Sequence, residues 1–276
     1  MAFGKAENKV SLLEKKMEEQ QEPEIEYSID ELEMNDMGKT IITVYGPKGV
    51  GKTALAYGLI PDNSSVVVWS YDGMSTGPRE LEFIKKANLS IRVLNAILPL
   101  NKSSPDAYTK SASVTYDMNV KITKQIAEQG KPDWIILDCF EVFSEICEMK
   151  MRFNNKISAY GGITNKNIWK ERKQFVDGFN DVLKDSANCG VIYIMYPKVQ
   201  NLYKNGEIIN TEETPAWISE IMKQTLVTIR ASSEFDVEAN TRKYYAEIEH
   251  SKKEDEYPPG KYDITGKRLY EVIRGN

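Results

Sequence analysis

Residues 42–59 read ITVYGPKGVGKTALAYGL: an apolar strand-like run, a loop with three glycines and a lysine, then a helix-like run. Pro47, Lys48, Gly49 and Val50 separate Gly46 from the triplet Gly51, Lys52 and Thr53, and Ala54 carries the chain into the helix. This is the full P-loop spacing. Glycines let successive backbone N–H groups turn inward and wrap phosphates where side chains would obstruct them. Lys52 supplies a mobile charge for the β- and γ-phosphates, and the Thr53 hydroxyl is placed to hold Mg²⁺. The helix over 52–59 aims its positive end at the same phosphates. A buried strand feeding such a loop commits the chain to an α/β sheet.

The rest of the chain agrees. Apolar runs at 40–45, 65–71, 133–138, 190–196, 225–231 and 244–250 read as strands. Helix-like stretches at 52–59, about 78–87, about 116–129, 140–151 and 168–187 separate the first four. Near-continuous apolar strands alternating with helices predict a mainly parallel sheet covered on both faces. From 225 onward the strands follow one another too closely for crossover helices, so the sheet is expected to continue antiparallel.

The 276 residues divide into an N-terminal arm, 1–37, and one nucleotide-binding domain, 38–276. The arm holds four lysines against eleven acids, so the net charge of −5 understates how well the remainder receives an anion. Helical spacing over 8–20 stops at Pro23. Cys139, Cys147 and Cys189 have no metal spacing and read as small buried hydrophobes in a reducing cytoplasm. No apolar run approaches a membrane span, and the charged N-terminus lacks a signal-peptide core, so the expectation is a cytoplasmic protein without a membrane partner.

A P-loop needs a second acidic group to orient the metal's water shell. In DWIILD four apolar residues, 134–137, deliver Asp138 to the carboxyl end of a buried strand, where ligands collect in such sheets. Thr53 and Asp138 are therefore the metal candidates, with Mg²⁺ and ATP as the cofactors. A further strand, 65–71, lies between the P-loop helix and the Asp138 strand, and no guanine-reading NKxD ends a late strand. The first arrangement resembles that of the additional-strand ATPases, and the resemblance, with the missing NKxD, favours ATP.

On these residues the chain, over 38–274, resembles the RecA superfamily, in its compact RadA- and KaiC-like branch with the phage recombination and annealing ATPases. The resemblance implies a water-activating carboxylate just after the second strand, at Asp72, with Glu141 and Glu80 as alternatives. It implies that a basic pair after a late strand, Lys252 and Lys253, reaches the ATP of a neighbouring subunit, with His250 beside it as a strand-end residue. Gln200 is the candidate γ-phosphate sensor. The segment Phe3 to Ala6, FGKA, resembles the F-x-x-A tether by which RadA-like proteins polymerise, so a homo-oligomer, ring or filament, is expected.

Two segments suggest the use of the energy. Residues 150–173 hold seven Lys or Arg and one Glu, with Tyr160, Trp169 and Gly161-Gly162 interleaved, among them Lys156 and Lys166. Residues 196–215 add Lys198, Tyr203 and Lys204. Basic side chains track phosphates and aromatics stack on unpaired bases, and in RecA-like proteins the corresponding loops line the path of single-stranded DNA. The leading expectation is an ATPase acting on single-stranded DNA in recombination, annealing or repair. The alternatives are a KaiC-like regulatory ATPase acting through protein partners, with the acidic arm as docking element, and a DNA translocation or packaging motor.

Overall fold

A computed structural model describes residues 39–71, 76–95, 100–204, 207–216 and 219–275, with the side chains of 202–204, 207–210, 212, 219 and 220 left aside. The arm with its F-x-x-A segment, and Asp72, lie outside the described residues.

The first strand, β1 (Thr40–Tyr45), is buried at every position. Its side chains alternate between two cores: Ile41 and Tyr45 belong to one, Ile42 and Val44 to the other. Such a strand must be covered on both faces. Around it the chain builds α1 (Lys52–Leu59), β2 (Ser65–Ser70), α2 (Pro78–Lys86), β3 (Ser90–Asn95), α3 (Pro105–Gln129), β4 (Trp134–Asp138), α4 (Phe140–Asn154), α5 (Trp169–Ser186) and β5 (Gly190–Met195). There follow β6 (Pro197–Lys204), β7 (Glu207–Pro215), α6 (Ser219–Gln224), β8 (Val227–Asp236), β9 (Thr241–Ser251), β10 (Gly260–Asp263) and α7 (Leu269–Arg274).

The main sheet runs β10-β9-β8-β1-β5-β4-β2-β3. Its pairs from β8 to β3 are parallel, and β9 and β10 continue antiparallel at the carboxyl-terminal side. One face packs on α3, α4 and α5 through an aromatic cluster in which Phe143 and Phe179 have ring centres 4.5 Å apart. The other packs on α1, α2 and α7 through Leu55, Phe83 and Leu269. This is the α/β, RecA-like architecture, mainly parallel with antiparallel strands at the end. The P-loop strand β1 and the Asp138 strand β4 are not neighbours, because β5 stands between them.

Several elements depart from expectation. Strand β3 was not foreseen: it is an edge strand with no fully buried residue, so its pattern carries little apolar signal. Helix α3 starts at Pro105 rather than near 116, capped by Ser104, whose Oγ accepts the Ala107 N–H at 3.1 Å. Its first half is rich in Ser, Thr and Tyr, and it buries Thr109, Ser113 and Thr115, which hid the helical period. The stretch expected as a long loop over 196–215 is the antiparallel hairpin β6–β7. Cys139 and Cys147 are buried as expected, but Cys189 is exposed, since it sits in the turn that delivers Gly190 to β5. Among the described residues no helix is long and apolar enough to cross a membrane.

Candidate nucleotide site

Parallel register brings the candidate groups to one edge of the sheet. Val44 and Asp138 are both partnered by Ile194 of β5, so Asp138 stands level with the last residues of β1, just before the loop. Gly46 turns off the strand with φ +156°, and a Cβ there would stand 2.3 Å from the Ala231 carbonyl of β8. Only glycine permits that approach. Gly51, φ +80°, precedes the first turn of α1.

The Thr53 hydroxyl donates to Asp138 Oδ2 at 2.8 Å. Residues from two elements, 85 positions apart in sequence, thus present their oxygens together at the start of α1. Mg²⁺ characteristically takes one or two protein oxygens and completes its shell with water and phosphate. Thr53 and Asp138 fit that requirement. Among the described residues no group of three or more His, Cys, Asp or Glu forms an all-protein metal cage.

Lys52 is 8% exposed. Its ammonium donates to the Pro47 carbonyl at 2.8 Å and lies 4.3 Å from the centre of the Tyr196 ring. It therefore sits curled within its own loop. The cleft holding these groups measures about 450 Å³ and is bounded by Lys48, Gly49, Gly51, Thr53, Asp138 and Tyr196 on one side. Pro78, Arg79, Glu80 and Tyr244 close the other.

Arg79 is a member of the site that sequence reading missed. Arg79 lies 28 residues from Gly51 in sequence, yet the fold brings it against the P-loop. The guanidinium carbon is 3.8 Å from the centre of the Tyr244 ring, and Nη1 is 2.6 Å from where a Gly51 Cβ would stand. Nη2 donates to the Ile264 carbonyl at 3.1 Å, whereas Nη1 is buried without a partner. Burial lowers the affinity of this guanidinium for its proton, against the pull of Tyr244 and Glu80. The sequence signal at GPRE is a helix start, with Pro78 in the first turn. Nothing in it announces a ring 165 residues later.

The carboxylates divide by environment. Glu80 caps its own helix by accepting the Gly77 N–H at 3.0 Å. Glu141 accepts the Tyr196 N–H through one oxygen, while the other is buried without a partner. Burial raises its carboxyl above the usual range, and the Tyr196 N–H and the Lys52 charge pull it back only in part. Gln200, the expected sensor, is exposed on β6; the residue at the end of β5 that meets Lys52 is Tyr196.

The basic pair lies elsewhere. Lys253 donates to Thr40 Oγ1 at 3.0 Å, at the start of β1, roughly 17 Å from the P-loop at about 3.3 Å per residue. It also pairs with Glu256 at 3.4 Å. Lys252 lines a separate cavity together with His250. Neither lysine serves the cleft of its own chain.

In the basic stretch 150–173, Lys150, Arg152 and Arg172 are used inside the fold. Lys150 pairs with Asp117 at 3.0 Å, Arg152 holds the Gly161 carbonyl at 2.8 Å, and Arg172 donates to Ser144 at 2.6 Å. Lys156, Lys166, Lys170 and Lys173 are exposed, as is Tyr160 at 72%. By sequence the hairpin carries Lys198 and Lys204 against Glu207, Glu212 and Glu213, acidic on balance.

No family model matches the chain, and no curated protein matches it. Among solved structures, a KaiC-like protein from Pyrococcus horikoshii OT3 is similar over 82% of this chain and 85% of its own, at 12% identity and a TM-score of 0.38. The flagellar accessory protein FlaH from Methanocaldococcus jannaschii is similar over 87% of this chain and 94% of its own, at 15% identity and a TM-score of 0.36. At such identities no residue role passes from either to this chain.

Proposed function

We propose that the chain binds and hydrolyses Mg-ATP at this cleft and uses the nucleotide state to govern contact with a protein partner. The observation that carries the ATPase reading is the 2.8 Å bond from Thr53 to Asp138 at the end of a complete P-loop. In this reading Gly46 to Ala54 wrap the phosphates, Lys52 turns from Pro47 and Tyr196 toward them, and Thr53 and Asp138 hold Mg²⁺. The metal, when bound, neutralises charge on the phosphates. Arg79 adds a cation from the same chain, and Asp72 activates water. Lys252 and Lys253, which do not face the cleft of their own chain, would meet an ATP only if copies associate.

The choice of a protein partner rests on charge. Three cations of the basic stretch are spent internally and the hairpin is acidic on balance, which leaves little surface for a polynucleotide. The acidic arm is the proposed docking element. A second reading, contact with single-stranded DNA, draws support from the exposure of Tyr160, Lys156 and Lys166. Measuring ATP turnover with and without single-stranded DNA separates the two: unchanged turnover is expected, and a salt-sensitive stimulation of severalfold would move the conclusion to the second. Lys52→Ala should weaken Mg-ATP binding by roughly tenfold or more, the scale of a lost charge-assisted hydrogen bond. Unaltered affinity by calorimetry would remove the P-loop from the account.

A further inference from the structure

A second cavity, of about 770 Å³, lies between the β6–β7 hairpin and the face of β1, β8 and β9. Its volume falls in the range of small-molecule sites. Its wall is polar, and the acids in it are already engaged. Both oxygens of Glu249 accept the Tyr45 hydroxyl at 2.7 Å, and Glu213 pairs with Arg230 at 2.8 Å.

The donors are not all engaged. Thr228 is 4% exposed and its hydroxyl has no hydrogen-bond partner. A buried hydroxyl left unpaired is costly, and a valine of the same shape would avoid the cost. His250 is the cross-strand partner of Thr228, and Lys252, just past the end of β9, lines the same cavity. Among the described residues no hydrogen bond or ion pair engages the side chain of either. Thr228, His250 and Lys252 therefore line one cavity, in which Glu213 is paired with Arg230 and Glu249 shares the single Tyr45 proton.

We propose that this cavity is a binding site for a small organic anion, a phosphate or carboxylate carried on a compact polar body, held by Thr228, His250 and Lys252. The site adjoins the residues that carry the P-loop. Tyr45 immediately precedes Gly46, and Arg230 precedes Ala231, the residue whose carbonyl packs on Gly46. Occupancy thus bears on the strand ends from which the loop departs, and the reading does not depend on what the loop itself binds.

The test is thermal stabilisation of the full chain by ribose 5-phosphate, succinate and, as an uncharged control, ribose. One of the two anions is expected to raise Tm by mass action in wild type and equally in Lys52→Ala, with ribose inert. The acting anion tells phosphate from carboxylate. Thr228→Val and Lys252→Gln should each weaken that anion roughly tenfold or more. Thr228→Val should itself melt no lower than wild type, so a lost response cannot be blamed on misfolding. The proposal is overturned if neither anion shifts Tm, if the shift survives both cavity variants, or if it disappears in Lys52→Ala, which would put the anion in the P-loop.

Discussion

At the scale of the residue, the site is a set of groups whose neighbours decide what each can do. Arg79 stacks on Tyr244 and leaves one nitrogen buried and unpaired beside Gly51. Arg79→Ala should lower Mg-ATP affinity by roughly tenfold, and Arg79→Lys should recover only part of it, because a point charge lacks the planar fork. Equal affinities across the three proteins in a calorimetric titration would remove Arg79 from the site. Glu141 is the residue whose charge state has a sign to follow. Burial raises its carboxyl in the fold, so its contribution to stability is complete below the ordinary carboxylate range and is lost as pH rises through the raised value. Glu141→Gln should therefore melt higher than wild type near neutral pH, the gain fading toward pH about 4. That variant should keep its turnover whereas Asp72→Asn loses most of it. The reverse outcome would make Glu141 the water-activating group.

At the scale of the element, legibility follows from whether a signal is local. The P-loop and the apolar approach to Asp138 were readable because strand, loop and helix are contiguous and each residue type answers a local demand. Edge strand β3 and the hairpin were not, since both are defined by pairing rather than by burial. Arg79 and Tyr244 meet only once α2 and β9 have been placed. Likewise, the basic character of 150–173 was legible, but the internal use of Lys150, Arg152 and Arg172 depends on Asp117 in α3, the Gly161 carbonyl and Ser144 in α4. The helices α3, α4 and α5 converge on Phe143, which is 1% exposed and lies within 6.2 Å, centre to centre, of Tyr71, Tyr116 and Phe179. Phe143→Ala should cost about 3–5 kcal/mol in urea unfolding. A loss under about 1 kcal/mol would mean that the three helices collapse onto the vacancy.

At the scale of the whole molecule, the question is whether one chain makes a complete site. Lys52 and Arg79 reach the same cleft from the same chain, so mixing Lys52→Ala with Arg79→Ala protein should restore no ATPase activity: every cleft in the mixture lacks one of the two. Recovery on mixing would show that Arg79 acts across an interface. The strand order has a mechanical sense as well. The loop and Asp138 depart from β1 and β4, and the strand held between them, β5, passes through Tyr196 directly into the β6–β7 hairpin. Met195 is paired to Tyr45 and Ile194 to Asp138. The hairpin is in that sense the needle of a gauge whose spindle is clamped between the P-loop strand and the Asp138 strand, so that under the proposed function a shift of either strand end would be felt at the surface there.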